Sequence, residues 1–277
     1  MGRETQHPYR LLALVAVLGL LVAAAAQAEI STLENGGFEL GTGNTFTSWT
    51  NGNSVATEHP GIVAGSNRAA FITSPFDTSG GTVLSQSVDS DGQAWWQLDC
   101  VFAMEYGSGN SFQLTFMTNG VNGVPNLTAF GDGSLNLRNP NGYSPVWVTV
   151  APAGFIAESI DANGDGDFAD DGDALNVHAL RVVGLDWGTA NARYDVYLSD
   201  PNVLDGTFSI AALGNTVFQG SPPTVPARDS ITAIRFQGGF SRNAYVVDDV
   251  TLSVPEPATL SLLGLGGLGV LVRRRRK

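Results

Sequence analysis

The sequence predicts an all-β protein, an antiparallel β-sandwich of the jelly-roll type, placed between two short export signals. Apolar and polar residues alternate with period two in many short segments, which is typical of strands with one buried face. Turn-forming dipeptides such as Asn51-Gly52 and Asp91-Gly92 separate these segments. Helical periodicity is scarce, so the strands are expected to pair with one another in two packed sheets.

The amino end has the order of features of a secretory signal. Arg3 and Arg10 flank a polar stretch, and an apolar run follows from Leu11 to Ala25. The small-x-small triplet that ends at Ala28 is typical of a signal-peptidase site. The run is short for a membrane span and polar chain follows at once, which favours a removed signal over an anchor. Residues 1–28 are therefore predicted to be a signal peptide.

The clearest predicted strand is the segment WWQLDCVFAME, which begins at Trp95. Alternate side chains are apolar and are expected to face the core, namely Trp96, Leu98, Cys100, Phe102 and Met104. Trp95, Gln97 and Asp99 fall on the opposite, outward face. The same alternation predicts further strands around residues 84–88, 112–116, 146–150, 180–185, 194–198, 231–236 and 245–252.

An acidic insertion with the sequence DANGDGDFADDGD interrupts the strands at residues 161–173. Oxygen ligands at positions 1, 3 and 5 and a glycine at position 6 match the start of an EF-hand-type calcium loop. The match fails at position 12, where Gly172 stands in place of a bidentate glutamate. The candidate calcium ligands are Asp161, Asn163, Asp165, Asp167 and Asp173. A solvated acidic loop without metal is the alternative.

Charge limits the classes of partner. Removing both ends takes seven of the 14 basic residues and two of the 26 acidic ones, which leaves a net charge near −17. Such a chain is repelled by nucleic acid and by anionic membrane surfaces, whose binding depends on basic patches. Cys100 is the only cysteine, so no disulfide forms within the chain. We therefore expect no nucleic-acid partner, whereas the negative charge favours the binding of divalent cations.

The region 29–253 opens with Asn35-Gly36-Gly37-Phe38-Glu39, followed by Trp49, and closes with the segment 245–252. This arrangement resembles the galactose-binding-like jelly rolls, which include several families of carbohydrate-binding modules. The resemblance implies a structural calcium ion at which Glu39 and Asp248 meet. Strand parity also places Asp248 beside Val246, Val250 and Leu252 on an apolar face, where a carboxylate needs a metal or several hydrogen-bond donors. Acids that cap strand ends in water are the alternative.

A sugar-binding site needs an aromatic platform with amide or carboxylate partners beside it. Trp95 and Gln97 share the outward face of one predicted strand. Gln113 on the next strand lies beside them if the two strands pair. These three residues are the candidate ligand site, and a surface tryptophan that only packs under a loop is the alternative.

The chain closes on Pro255-Glu256-Pro257, an uncharged run of 15 residues from Ala258 to Val272, and a basic cluster. The run is marginally long enough to cross a bilayer, and the positive-inside rule holds the cluster in the cytoplasm. This order resembles the PEP-CTERM sorting signal of Gram-negative bacteria. It implies cleavage by a membrane-embedded exosortase, a transient inner-membrane anchor at residues 254–277, and release to the cell surface or matrix. The predicted processing residues are Ala28, Pro255, Glu256, Pro257, Arg273, Arg274, Arg275 and Arg276.

Catalytic motifs are absent from the sequence: it contains neither a GxSxG elbow nor an HExxH pair. We therefore expect an exported surface or matrix protein that is not an enzyme, is stabilised by calcium and binds exopolysaccharide. Signal peptidase and exosortase are its processing partners, and it touches the membrane only through its tail. Two alternatives stay open, a purely structural matrix protein and a secreted polysaccharide hydrolase.

Overall fold

The computed structural model describes residues 29–31, 33–52, 56–73, 83–90, 93–105, 110–118, 121–139, 146–160, 162, 172–186, 193–206, 208, 231–237 and 244–255. Residues 31–253 form one compact unit, and the two ends of the chain, 1–30 and 254–277, belong to a second. The predicted signal peptide and the tail beyond Pro255 lie outside the described residues. Within the described ranges, no helix is long and apolar enough to cross a membrane.

Strands make up nearly all of the regular structure in the described ranges. They are β1 (Glu29–Ser31), β2 (Gly41–Thr42), β3 (Thr45–Phe46), β4 (Thr50–Asn51), β5 (Ala56–His59), β6 (Ala69–Thr73), β7 (Val83–Ser87), β8 (Trp96–Glu105), β9 (Asn110–Thr118), β10 (Val121–Phe130), β11 (Leu135–Asn139), β12 (Val146–Ala151), β13 (Glu158–Ser159), β14 (Val177–Leu185), β15 (Arg193–Leu198), β16 (Ile231–Gln237) and β17 (Ala244–Pro255).

Two large sheets contain most of these strands. The eight-stranded sheet runs β15-β14-β8-β17-β6-β5, with β1 and β13 off this path, and the seven-stranded sheet runs β12-β11-β10-β9-β16-β7-β4. Strand β13 pairs with β8 in parallel, and the other strand pairs whose register is described are antiparallel. The predicted all-β antiparallel sandwich is confirmed.

The core lies between the facing sheets and is built from aromatic side chains. Phe102 on β8 stacks on Phe112 of β9 with ring centroids 4.6 Å apart, and Tyr245 on β17 meets the same ring edge-on at 5.1 Å. Trp96 contacts Phe116 across the same gap at 5.0 Å. All five side chains are fully buried, and each such burial stabilises the fold by roughly 1.5–3 kcal/mol.

Strands β8 and β9 follow each other in the chain but belong to different sheets. Strand β8 pairs with β14 and β17, whereas β9 pairs with β10 and β16. Each strand carries a row of large apolar side chains, and both rows are buried at once when they face each other across the core. The expectation that Gln113 lies beside Trp95 and Gln97 is therefore wrong, because the two strands are not neighbours in one sheet.

Candidate functional site

The closing strand β17 contains a bulge at Asp249, which has a positive φ of 47°. Before the bulge, Asp248 pairs with Val101, and after it Leu252 pairs with Leu98, with a shift in register between them. One extra residue moves the following side chains to the opposite face of a strand. Asp248 is buried as expected, but it lies on the outer face of the eight-stranded sheet, whereas Leu252 faces the core. The parity prediction assumed a regular strand and placed both on one face.

A small apolar cluster covers the outer face of the sheet around Asp248. Ile62 from the loop at residues 61–68 packs there, together with four small or branched side chains from the strands or their ends: Ala69, Ala103, Val177 and Val246. This second core explains why Asp248 is excluded from solvent although it lies outside the sandwich. The 61–68 loop covers this cluster.

The Asp248 carboxylate is held by N–H donors. Its Oδ2 accepts a hydrogen bond from the Ile62 amide at 3.2 Å, and its Oδ1 accepts one from the Asp249 amide at 2.8 Å. Burial outweighs these bonds and raises the pKa of Asp248 to about 6. Among the described residues, no cation forms a salt bridge with it. A buried carboxyl in this position favours a proton or a metal ion as its partner.

Glu39 binds the other end of the same loop. Its Oε1 accepts hydrogen bonds from the Ser66 hydroxyl at 2.9 Å, the Asn67 amide at 2.6 Å and the Arg68 amide at 3.2 Å. These donors, led by the Asn67 amide, lower the pKa of Glu39. Glu39 and Asp248 therefore both bind the 61–68 loop, and the opening and closing segments of the region meet there.

The opening segment is itself fixed against β17. The Val250 amide donates to the Gly36 carbonyl at 3.0 Å, and a Cβ added at Gly36 would lie 1.7 Å from the Val250 carbonyl oxygen. Only glycine permits this approach. Gln86 pairs with both backbone groups of Glu34, at 2.8 and 2.7 Å. The alternation in the sequence marks Gln86 as inward-facing, but no local signal identifies its backbone partner.

The opening segment, β17 and the 61–68 loop meet at a junction. Carboxylate oxygens, which are ligands that a hard cation prefers, lie at this junction. A Cβ at Gly37 would lie 3.3 Å from Asp249 Oδ1, 4.0 Å from Asp248 Oδ1 and 3.9 Å from Glu39 Cγ, so three acidic side chains surround this position. Calcium prefers such carboxylate ligands. Within the described ranges, however, no group of three or more His, Cys, Asp or Glu side chains is arranged to hold a metal ion. Calcium ligation by Glu39 and Asp248 stays a prediction.

The base of the acidic insertion is described, whereas Asp161, Asn163, Asp165 and Asp167 lie outside the described residues. Ile160 and Ala174 exchange two backbone hydrogen bonds at 2.8 and 2.9 Å. Asp173 Oδ1 accepts a hydrogen bond from the Ala162 amide at 2.7 Å. Hydrogen bonds therefore join the two ends of the insertion at its stem. Asp173 Oδ1 is the acceptor of one of them.

The predicted sugar platform lies on the outer face of the eight-stranded sheet. Trp95 is half-buried, and Gln97 donates to Asp99 Oδ2 at 2.8 Å. The Arg181 guanidinium binds both oxygens of Asp99, at 2.7 and 3.0 Å, and lies over the Phe208 ring at 5.1 Å. The polar groups beside Trp95 are thus engaged within the protein. Sugar binding by Trp95 and Gln97 stays a prediction.

His178 is fully buried and has a structural position. Its Nε2 accepts a hydrogen bond from the Ala157 amide at 3.0 Å, so its Nδ1 carries the proton and donates to the Ser199 carbonyl at 2.9 Å. Burial lowers the pKa of His178 and keeps the ring neutral. His59 is also buried. Neither histidine is placed at the surface, and the expectation that the chain is not an enzyme stays a prediction.

At the carboxyl end, residues 253–277 match the family model of the PEP-CTERM protein-sorting motif. The chain carries a PEP-CTERM sorting signal. This signal indicates an exported protein of the cell envelope that an exosortase processes. The match begins within β17, so the last strand and the sorting signal share residues 253–255. No curated protein matches the sequence.

Several solved structures are similar to this chain over most of its length, at low sequence identity. A marine PL-14 alginate lyase from Aplysia kurodai is similar with a TM-score of 0.48 and 10% identity, over 82% of this chain and 98% of that one. An alginate lyase from a Chlorella virus gives 0.41 and 8%, over 70% and 88%. An alginate lyase in complex with an alginate trisaccharide gives 0.45 and 12%, over 84% and 100%. With TM-scores below 0.5, these similarities carry no argument about this chain.

Proposed function

We propose that this protein is an exopolysaccharide-binding protein of the surface or matrix of a Gram-negative bacterium. In this proposal the signal peptide directs export, the sorting signal anchors the chain in the inner membrane, and exosortase cleavage releases it. The sorting motif at residues 253–277 is the observation that supports this route. The strongly acidic composition favours a soluble product after release.

The binding role is supported by the junction of the opening and closing segments. These are the segments that resemble carbohydrate-binding jelly rolls, and the bond between Val250 and Gly36 joins them. The described histidines are buried, which favours a binding role over hydrolysis by a histidine base. A structural role without a ligand predicts the same fold but no retention on polysaccharide.

Calcium is the cofactor in this proposal, at the junction and in the acidic insertion. Glu39 and Asp248 would hold one ion, and the oxygen-rich residues of the insertion would hold another. A bound ion supplies the positive charge that the buried Asp248 carboxylate lacks among its described partners. With this charge supplied by the ion, the role left to the hydrogen bonds of the protein is to hold the 61–68 loop and the stem of the insertion in place.

The export route is tested by replacing Pro255, Glu256 and Pro257 together with alanine. We expect the uncut variant to accumulate in the inner-membrane fraction, whereas the parent protein is shortened and released. Leu204→Ala is the control, because Leu204 is exposed on the sandwich and its replacement leaves the sorting signal intact. This control should be released normally. Normal release of the triple variant would contradict the sorting role of this motif.

The binding role is tested by sedimenting the protein with exopolysaccharide from its own host and, in parallel, with the polysaccharide treated to remove its acidic groups. Retention above that of an unrelated acidic protein supports a binding module. Equal recovery of both proteins in the soluble fraction would leave the structural alternative as the better account.

A further inference from the structure

The sorting signal overlaps the carboxyl end of β17. Strand β17 ends at Pro255, whereas the match to the sorting motif begins at Ser253. Pro255 is therefore both the last residue of the strand and the first residue of the Pro-Glu-Pro triplet. Only Glu256 and Pro257 separate it from the uncharged run that begins at Ala258. No linker lies between the folded strand and the triplet.

The strand keeps its packing as far as this overlap. Leu252 and Ser253 both pair with residues of β8. Leu252 is fully excluded from solvent and Val254 is 6% exposed, whereas Thr251 is exposed and Ser253 is half-buried. Strand β1 also pairs with β17. The alternation of buried and outward side chains therefore continues through Val254, and the residues directly before the triplet belong to the packed sandwich.

A protease needs an unpaired segment of chain as its substrate. It binds the residues around the scissile bond in extended form through their backbone N–H and C=O groups, as an added strand binds to the edge of a sheet. In β17, backbone groups are already paired with β8 as far as Ser253. A cut before Val254 also requires buried side chains to leave the protein interior, which is a local unfolding step that opposes cleavage. The folded protein therefore protects the bonds of β17 that precede Pro255.

The two prolines of the triplet explain why the sheet does not extend further. Pro255 and Pro257 carry no backbone N–H group, so neither can donate a hydrogen bond to a neighbouring strand. Residues at alternate positions of an extended chain point their backbone groups in the same direction, so successive donors are missing from one edge. The triplet thus stops strand pairing at the bonds that the protease must reach.

We propose that the end of β17 sets the amino-terminal limit of processing, so that the exosortase cuts on the carboxyl side of Pro255 and the released protein keeps β17 complete. In this step water hydrolyses one peptide bond: the carbonyl carbon gains the hydroxyl group, and the leaving nitrogen gains the proton. The inference rests on the proposed release by an exosortase. It adds where the cut lies and which part of the fold limits it.

The first experiment measures the intact mass of the released protein, purified from its own host. We expect a carboxyl terminus at Pro255 or at a later residue. A released protein that ends at Val254 or earlier would overturn this inference and leave the proposed export route in place. A full-length chain that stays in the inner membrane would overturn the proposed release, and this inference with it.

A second experiment tests the protection itself, without the exosortase. The full-length chain in mild detergent is treated with a broad-specificity endoprotease, and mass spectrometry identifies the carboxyl terminus of the sandwich. A free peptide with the sequence of residues 248–258 is the control for susceptibility, and it should be cut after Leu252. We expect the folded chain to be trimmed no further than Pro255 while the peptide is consumed. Equal rates of cleavage after Leu252 in the folded chain and in the peptide would overturn the inference.

Three variants then show whether the packed strand provides the protection. Leu252→Ala and Val254→Ala each remove part of a buried side chain, so cleavage within β17 should become about tenfold faster or more. Two such variants are made so that the comparison survives if one of them fails to fold. Thr251→Ala is the matched control, because Thr251 lies on the same strand end but is exposed, and it should stay as protected as the wild type. Equal protection in all the folded variants would overturn the inference, because the triplet alone would then place the cut.

Discussion

The Asp248 carboxylate accepts a hydrogen bond from the backbone amide of Ile62, which lies 186 positions earlier in the chain. This contact joins the last strand of the sandwich to the 61–68 loop, and Glu39 binds the other end of that loop. The stability of the junction therefore depends on the charge of Asp248. Because burial raises the pKa of Asp248, this stability changes with pH.

The first prediction concerns pH in the absence of calcium. The pKa of Asp248 is about 6 in the folded protein and near 3.8 when unfolded, so the folded state binds the proton more tightly. Stability is then greatest below about pH 4 and falls as pH rises to about 6, by about 3 kcal/mol at most. Urea unfolding at successive pH values, with a chelator present, should show this slope in the wild type and lose it in Asp248→Asn. A slope retained in the variant would assign it to another group.

The second prediction concerns calcium. An ion that binds only the folded state should raise the free energy of unfolding by roughly 2.7 kcal/mol at a hundredfold excess over its dissociation constant. Thermal unfolding of the full chain with calcium and then with a chelator measures this shift. Asp248→Asn should remove the contribution of the junction, and Asp173→Asn that of the insertion. Identical midpoints with and without calcium would refute both sites.

The third prediction concerns the contact between Gly36 and β17. Gly36→Ala places a methyl group 1.7 Å from the Val250 carbonyl oxygen, so the opening segment must move away from the strand. We expect a loss of about 3 kcal/mol or more in the free energy of unfolding, in the range of severe backbone clashes. Gly43→Ala is the control, because it has a positive φ of 54° but nothing within 4 Å of an added Cβ. Its cost should be near 1 kcal/mol. Equal losses in the two variants would show that the close approach is unimportant.

The fourth prediction concerns His178. Its pKa is lowered by burial, so the unfolded state binds the proton more tightly. The resulting stability is fully present above the unfolded pKa of about 6.5 and is lost as pH falls below that value and through the lowered pKa of the folded protein. This slope is opposite in sign to that of Asp248, and His178→Gln should remove it without altering the other. Unfolding between pH 7 and pH 5, measured in the Asp248→Asn background, isolates the effect.

The sequence pattern predicts β7, β8, β9, β12 and β14 to β17, but not the shorter or less regular strands β1 to β6, β10, β11 and β13. The row from Trp96 to Met104 is buried as the alternation predicts, because period-two burial is a local property of a strand. Strand pairing is not local, and the placement of β8 and β9 in different sheets depends on which apolar rows face each other. The alternation of apolar and polar residues also cannot predict the bulge at Asp249, although aspartate is among the residues that tolerate a positive φ.

Strand β17 lies between β8 and β6 in its sheet and is the last strand of the sandwich in the described part of the chain. Its partners lie roughly 150 and 175 residues earlier, so closing the sheet requires long-range contacts that form slowly. A polypeptide made and exported from its amino end delivers this strand last. The sandwich therefore remains unfinished until nearly the whole chain has been exported, and until then the gap between β8 and β6 is open to chaperones or to a strand from another molecule.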